Sequence, residues 1–391
     1  MKITKVDILH AHKVSLFGDR PVLCRIYTDE GIYGDGEAAL GFGNISEAAC
    51  GMIREMAPLI IGMNPMEHEV IWKKLYSTIF WARGGGPVVF GAISAIDIAI
   101  WDIKGKALNM PVYELLGGKC NDRLHAYASQ LQNGYGSDRG PGKFPDEYAR
   151  YTALAMEDGF DAVKLNFMVY DSLGRRRPVN DQTFSFGNAH LKLVKDRVAA
   201  VRKQLGPDGD IILENHCISD VQSAIQMGNA VKEYGIMYYE EPVTPRADLL
   251  RAVYEGCGIP VASGERIFSR GQYKEHFEKQ SIQVIQPDLG TSGGFTEVKK
   301  ICDMAELYEV GVQIHVCGSP LIASASIQLE AAIPSFTIHE YNVNTNTEGF
   351  IALTKYNPVP VRSYLEIPDL PGIGNEISEK AFTVSDVYTV E

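Results

Sequence analysis

The sequence is short of the features that mark a chain for nucleic acid, membrane or disulfide chemistry. Its longest basic run is only Arg175 to Arg177 and its formal net charge is -12, so nothing in it forms an electrostatic footprint for a polyanion or an anionic lipid surface. No apolar stretch is long enough to span a bilayer. The start, MKITKVDILH, lacks an apolar leader core and reads as a first strand. The cysteines (Cys24, Cys50, Cys120, Cys217, Cys257, Cys302, Cys317) are odd in number, scattered and without CxxC pairing, which argues against both a disulfide framework and a thiolate zinc site. The expectation is a cytoplasmic protein with reduced core thiols, whose partners include neither nucleic acid nor membrane.

What is present is globular. With 391 residues, 45% hydrophobic and 22% charged, the chain is sized for two domains. From Met1 to about Arg54 the runs ITKVDILHA, VLCRIYTDEG and GIYGDGEAA alternate and are read as an antiparallel meander with Gly31 and Gly34 at its turns. From about Ile45 to Leu115 the period lengthens towards 3.6, with GAISAIDIAIWDIKGKAL as the clearest helix and Pro111 opening the next segment. Past the joint LLGGKCNDRL the character changes to strands alternating with amphipathic stretches such as LVKDRVAAVRKQLG and DLLRAVYEGCG. Eight candidate strands follow: HAYASQ, DAVKLNF, IILEN, IMYYEE, PVASGE, IQVIQP, VQIHV and FTIHE. The fold class expected is α/β, a (β/α)8-type barrel, with an N-terminal α+β capping domain over 1–122, the barrel over 123–350, and a Pro-rich segment over 351–391 that returns to the capping domain.

Six strand ends carry acids or histidines: Glu214, Glu240, Glu265, Asp288, His315 and Glu340, at intervals of 26, 25, 23, 27 and 25 residues. Each interval is one strand plus one helix, and in a barrel the C-terminal strand ends form the catalytic mouth. Glu214, Glu240 and Glu265 on consecutive strands supply hard oxygen ligands suited to Mg2+. In the pair Glu240-Glu241, strand alternation lets only one face inward, and spacing does not choose between them. Asp288 and His315 end neighbouring strands, so the carboxylate can orient the imidazole and leave its other nitrogen as a base. His216, two residues past Glu214, is expected on the same strand face, beside the metal site.

Lys164 and Asn166 share the inward face of the second strand, where a cation relieves repulsion among the acids. Arg266, next to Glu265, either binds substrate or forms a structural ion pair. The interval from Lys164 to Glu214 is 50 residues, about twice the usual, which places a long insertion at roughly Met168 to His190.

With these residues on the page, the chain resembles the enolase superfamily, and within it the mandelate-racemase-like sugar-acid dehydratases of galactonate and mannonate type. The likeness runs from GIYGDGEA and DIAIWDIKGKALNMPVYELLGG to KLN, ENH, EEPV, GERIFSR, QPDLGTSGG, the His315 segment and Glu340. The resemblance implies one Mg2+ per subunit held by Glu214, Glu240 and Glu265, and a dyad of Asp288 and His315 in which His315 removes the proton α to a carboxylate. It also implies that Glu340 stabilises the enolate oxygen, and the enediolate chemistry itself is the family's.

Where the racemases carry KxK, this chain has Lys164-Leu165-Asn166, so the second lysine base is missing. His216 stands where galactonate-like dehydratases use a histidine as general acid, whereas the mannonate subgroup's Tyr/Arg pair is matched only loosely by Tyr170 and Arg175 to Arg177. The family usually has Asp at the first ligand position, and Glu214 is one methylene longer. The reading is dehydration of an acid sugar, an aldonate such as a hexonate, to a 2-keto-3-deoxy acid by a homo-oligomer. The alternatives are an epimerase or cycloisomerase on the same scaffold, or a member that binds acid sugars without efficient turnover. Capping loops around Phe17 to Arg20 and Trp81 to Pro87, with Trp81 and Arg83 as polyol contacts, are expected to set the substrate.

Overall fold

A computed structural model describes residues 1–15, 17–177 and 186–391. The N-terminal meander is β1 (Ile3–Ala11), β2 (Val22–Thr28) and β3 (Tyr33–Ala38), paired antiparallel in that order. Helices α1 (Ser46–Ile60), α2 (His68–Thr78) and α3 (Pro87–Leu108) pack on it, and α4 (Val112–Leu115) leads out. In α3 nearly every side chain from Phe90 to Ile103 is buried, which is why the helix is apolar all round rather than striped.

One expected turn residue has a different role. Gly31 does turn the chain, with φ +77°, but Gly34 lies inside β3 opposite Ile26. A Cβ at Gly34 would stand 2.0 Å from the Ala99 carbonyl oxygen, and one at Gly36 2.0 Å from that of Ala95. Both glycines are there to let α3 lie directly on the sheet.

The second unit alternates strands and helices: β4 (Arg123–Ser129), α5 (Pro145–Glu157), β5 (Ala162–Asn166), α6 (Asn188–Leu205), β6 (Asp210–Glu214), α7 (Val221–Val231), β7 (Ile236–Glu240) and α8 (Ala247–Cys257). It continues with β8 (Val261–Ser263), α9 (Arg270–Glu278), β9 (Val284–Ile285), α10 (Gly294–Leu307), β10 (Gly311–Val312), α11 (Pro320–Ala331) and β11 (His339–Asn342). The order β10-β9-β8-β7-β6-β5-β4-β11 is parallel throughout, and a parallel bridge from Val312 to Phe336 joins its two ends into a ring. All eight strands read from the sequence are in it.

After β11 the chain passes through α12 (Glu348–Ile351) to β12 (Tyr364–Glu366), which runs antiparallel to β4. It then forms α13 (Glu379–Thr383) and β13 (Ser385–Val390), which pairs with β1 from Val6↔Val390 to Ala11↔Ser385. Of the insertion after β5, Tyr170 bridges Arg176 and Arg175 is paired with Asp171, while 178–185 lie outside the described residues. No helix of the described residues is long and apolar enough to cross a membrane.

Candidate active site

Parallel pairing aligns the strand ends, and with them the side chains of the mouth. Asn166 pairs with Glu214 and Glu214 with Glu240, so three polar side chains from β5, β6 and β7 sit at one level. Beneath them Lys164 is fully buried. Its Nζ lies 2.5 Å from Glu240 Oε1, 2.7 Å from Glu340 Oε1 and 3.7 Å from Glu214 Oε1. Burial opposes the ammonium charge, but Glu214, Glu240 and Glu340 outweigh it and hold the lysine protonated well above its ordinary range. For Glu240 burial prevails over the attraction of Lys164, and the carboxyl is pushed up to about 8.

His216 Nε2 stands 2.8 Å from Glu214 Oε1, and Asn166 Nδ2 is 3.5 Å from His216 Nδ1. The reason differs from strand alternation. β6 ends at Glu214, and His216 and Cys217 follow with φ of +47° and +59°, so a left-handed turn folds the imidazole back onto the carboxylate. Burial of His216 opposes its charge, yet Glu214 raises it to about 9. Burial would likewise raise Glu214, but His216 and Lys164 bring it down to about 2.

On the other side of the ring, His315 Nδ1 is 2.6 Å from Asp288 Oδ2, and His315 Nε2 is 2.9 Å from Glu265 Oε2. Burial works against an imidazolium here, but Glu265 and the hydrogen bond to Asp288 hold His315 protonated well above its usual range. Glu265 is correspondingly held well below the carboxylate range, because His315 and Arg266 outweigh its burial. Glu340 accepts from Ser129 Oγ at 2.7 Å and from Val316 N at 3.0 Å. It too lies below its ordinary value, since Lys164 and His315 overcome burial.

Both members of the Glu240-Glu241 pair reach the site. Glu241 has φ +44°, which breaks the alternation that would have turned it outward, and its buried carboxylate is bonded by Arg266. Arg266 also pairs with Glu265, so in this structure it is an ion-pair partner of two acids.

The mouth also holds residues the sequence reading passed over. Gln130 Nε2 donates to Glu214 Oε2 at 2.9 Å, and Gln132 Nε2 donates to Gln130 Oε1 at 2.7 Å. Ser129 ends β4 and Gln130 and Gln132 follow it, so the strand-end rule that found the acids would have found them had amides and hydroxyls been counted.

Trp81 and Arg83 are not joined to this group by any hydrogen bond or ion pair among the described residues. Trp81 is 80% exposed and packs edge-on against Phe80 at 4.9 Å. Their loop is fixed at the start of α9 by Gln272 Nε2 donating to Gly84 O at 3.2 Å. Ahead of the Phe17–Arg20 loop, Val14 packs on α12, where a Cβ on Gly349 would be 2.1 Å from Val14 O, while Arg20 itself bonds Ala11 O and Glu47. The Trp81–Pro87 loop therefore borders the strand-end side of the barrel.

The donor set is of hard carboxylate oxygens, and Glu240 Oε2 is buried without a partner, which suits a divalent cation. Among the described residues no three acid, histidine or cysteine side chains already stand as a ligand cluster, because the carboxylates close on Lys164, His216, Arg266 and His315 instead.

Comparison with known proteins gives this geometry its context. Residues 10–117 match the mandelate racemase / muconate lactonizing enzyme N-terminal domain, and residues 147–381 match the enolase C-terminal domain-like family. A D-galactonate dehydratase of Ralstonia nicotianae is 32% identical over 371 residues, covering 92% of this chain and 89% of that protein. A D-xylonate dehydratase of Haloferax volcanii is 28% identical over 379 residues, covering 95% and 87%. The crystal structure of an enolase-superfamily member from Salmonella Typhimurium superposes with a TM-score of 0.96 at 44% identity over 100% of both chains. With both domain models matched in order over most of its length, the chain belongs to the enolase superfamily, in its mandelate racemase / muconate lactonizing enzyme branch.

Proposed function

We propose that the protein is a hydro-lyase that dehydrates an acid sugar, an aldonate, to a 2-keto-3-deoxy acid with Mg2+ as cofactor. The observation that carries this reading is a pair of imidazoles, each oriented by its own carboxylate. His315 is held by Asp288 at 2.6 Å and His216 by Glu214 at 2.8 Å, at the ends of strands four places apart in a ring of eight. The aldonate dehydratases among the relatives support the substrate class.

His315 Nε2 takes the C2 proton once Glu265 is drawn away from it and the ring has released its Nε2 proton to solvent, with Asp288 holding the neutral imidazole through Nδ1. The electron pair left at C2 moves into the substrate carboxyl, and protonated Lys164, paired with Glu340 at 2.7 Å, is the cation available to meet that negative charge. The pair then returns to form the C2–C3 double bond as the C3–O bond breaks. His216, kept protonated by Glu214, delivers the proton that lets the hydroxyl leave as water. The enol product tautomerises to the 2-keto acid.

Glu214, Glu240 and Glu265 are the side chains that would hold Mg2+, whose contribution is to polarise the substrate carboxyl. Six acids (Glu214, Glu240, Glu241, Glu265, Asp288, Glu340) face four cationic side chains (Lys164, His216, Arg266, His315); burial, Glu214 and Glu340 push Glu240 up to about 8, and a divalent ion would relieve that crowding of carboxylates. The Glu214 carboxylate contacts His216 through Oε1 and Gln130 through Oε2.

The test is a panel of aldonates and aldarates with Mg2+, read for 2-keto-3-deoxy product as the semicarbazone and for C2 deuterium in D2O by NMR. Keto product from an aldonate is the expected result. Deuterium at C2 without keto product would replace dehydration by epimerisation, and neither signal across the panel would leave a sugar-acid-binding protein.

A further inference from the structure

The two residues of the His315–Asp288 dyad sit on different loops, and each loop ends in a barrel helix whose first turn is anchored by the capping unit. α10 begins six residues after Asp288, behind Gly293, which has no side chain to cap it. Its free backbone N–H groups are taken by α3 instead. Gly293 N and Gly294 N donate to Ser94 Oγ at 2.8 and 3.2 Å, and Thr296 N donates to Asp97 Oδ2 at 3.0 Å. Thr296 Oγ1 donates to Asp97 Oδ1 at 2.5 Å and receives Trp101 Nε1 at 2.9 Å. Residues 94, 97 and 101 share one face of α3.

The loop after His315 ends in α11. Ser319 Oγ caps that helix through Leu321 N, and Ser319 N donates to Glu37 Oε1 at 2.9 Å. Ser319 Oγ and Ile322 N reach Glu37 Oε2 at 2.5 and 3.3 Å. Two residues further on, Ala39 N holds Gly290 O at 3.1 Å, and Gly290 N donates at 2.7 Å to the Asp288 oxygen that His315 does not use.

There is no slack at these junctions. A Cβ on Gly318 would meet Glu37 Oε1 at 2.7 Å, and one on Gly294 would meet Asp97 Oδ2 at 2.4 Å. Each acid sits at a helix N-terminus, where its oxygens accept from the first-turn N–H groups, and each is almost fully buried.

We propose that Glu37 and Asp97 are positioning residues for proton abstraction: by anchoring the first turns of α11 and α10 they set how His315 and Asp288 meet. The capping unit thus holds the base of the barrel in register as well as bordering its mouth. This rests on the dehydratase reading for its kinetic arm only.

The test uses Glu37→Gln and Asp97→Asn, which keep size but turn one acceptor into a donor facing backbone N–H groups. A misplacement of about 1 Å at a reacting group costs on the order of 100-fold, so C2-proton exchange and kcat are expected to fall about 10- to 100-fold. KM should stay within about threefold and Mg2+ affinity should not change. In a His315→Asn background the same substitutions should cost nothing further, because there is no dyad left to misplace.

Independently of any turnover, hydrogen–deuterium exchange should rise in peptides covering 286–293 and 313–319. That arm reads the anchoring even if no acid sugar is a substrate. Unchanged kcat in both variants, unchanged exchange in those peptides, or a further loss in the His315→Asn background would each overturn the proposal. If an isosteric variant does not fold, Ser94→Ala, which removes the acceptor for Gly293 and Gly294 together with the Ser94 Oγ–Phe90 O bond inside α3, takes its place under the same criteria.

Discussion

His315 is held between two carboxylates, with Nδ1 2.6 Å from Asp288 and Nε2 2.9 Å from Glu265. The first contact fixes the ring and the second occupies the atom that would do chemistry, so the two acids have different consequences when removed. His315→Asn keeps a donor towards Asp288 but has no base. It is expected to lower both C2 deuterium exchange and dehydration by about 10²- to 10⁴-fold, and retained exchange in D2O would take His315 out of the mechanism.

His216→Asn separates the two half-reactions. Dehydration should fall by a similar factor of about 10² to 10⁴, while C2 exchange persists because His315 is untouched. NMR of the recovered substrate in D2O reads the exchange, and the keto-acid assay reads the dehydration. Full dehydration by this variant would exclude His216 as the acid.

Glu214→Ala removes the partner of His216, one acceptor of Gln130 and one neighbour of Lys164 at once. Calorimetric titration should show Mg2+ binding weakened by more than about tenfold. EDTA should abolish activity of the parent protein and Mg2+ should restore it. Unaltered Mg2+ affinity in the variant would count against Glu214 as a ligand.

Buried Glu37 and Asp97 give a pH dependence with a definite sign. Burial pushes both up to about 7; nearby Asp288 adds to this for Glu37 while Ser319 and Ile322 oppose it, and for Asp97 Glu69 adds while Thr296 and Lys300 oppose. A carboxyl raised on folding contributes stability that is complete below its unfolded pKa near 4.5 for Glu37 and is lost as pH rises through about 7. The melting temperature of the parent protein relative to Glu37→Gln should therefore decline from pH 5 to pH 8. A gap that widens over that range would refute the assignment.

Gly36→Ala tests the contact between β3 and α3. The new Cβ would sit 2.0 Å from the Ala95 carbonyl oxygen, a backbone atom of a buried helix. Destabilisation of about 1–3 kcal/mol or more is expected from denaturant melts. Gly51→Ala, in α1 with nothing within 4 Å of its Cβ, should be neutral or stabilising. Equal effects from the two would remove the close-packing explanation.

The barrel was legible because its strand ends recur at nearly constant intervals, and the parallel register then places Glu214 beside Glu240 as that spacing implies. What the spacing missed depends on single backbone angles. Glu241 and His216 leave the strand rhythm through positive φ, which no periodicity reports. Gly34 looked like a turn because glycine there has two possible causes, and only the position of α3 distinguishes them. Gln130 stands at a strand end but was passed over because only acids and histidines were counted there, and its importance comes from Glu214, 84 residues on.

The pairing of β13 with β1 bears on how the protein is made. Thr389 Oγ1 donates to Asp7 Oδ1 at 2.7 Å across 382 residues, and the sheet that starts the chain receives its outer strand only from residues synthesised after the entire barrel. During translation the edge of β1 stays open, a template for strand addition by other chains. Closing it is a contact of extreme sequence separation and therefore a slow one. The six residues of β13 act as a latch that the ribosome delivers only after the barrel is made.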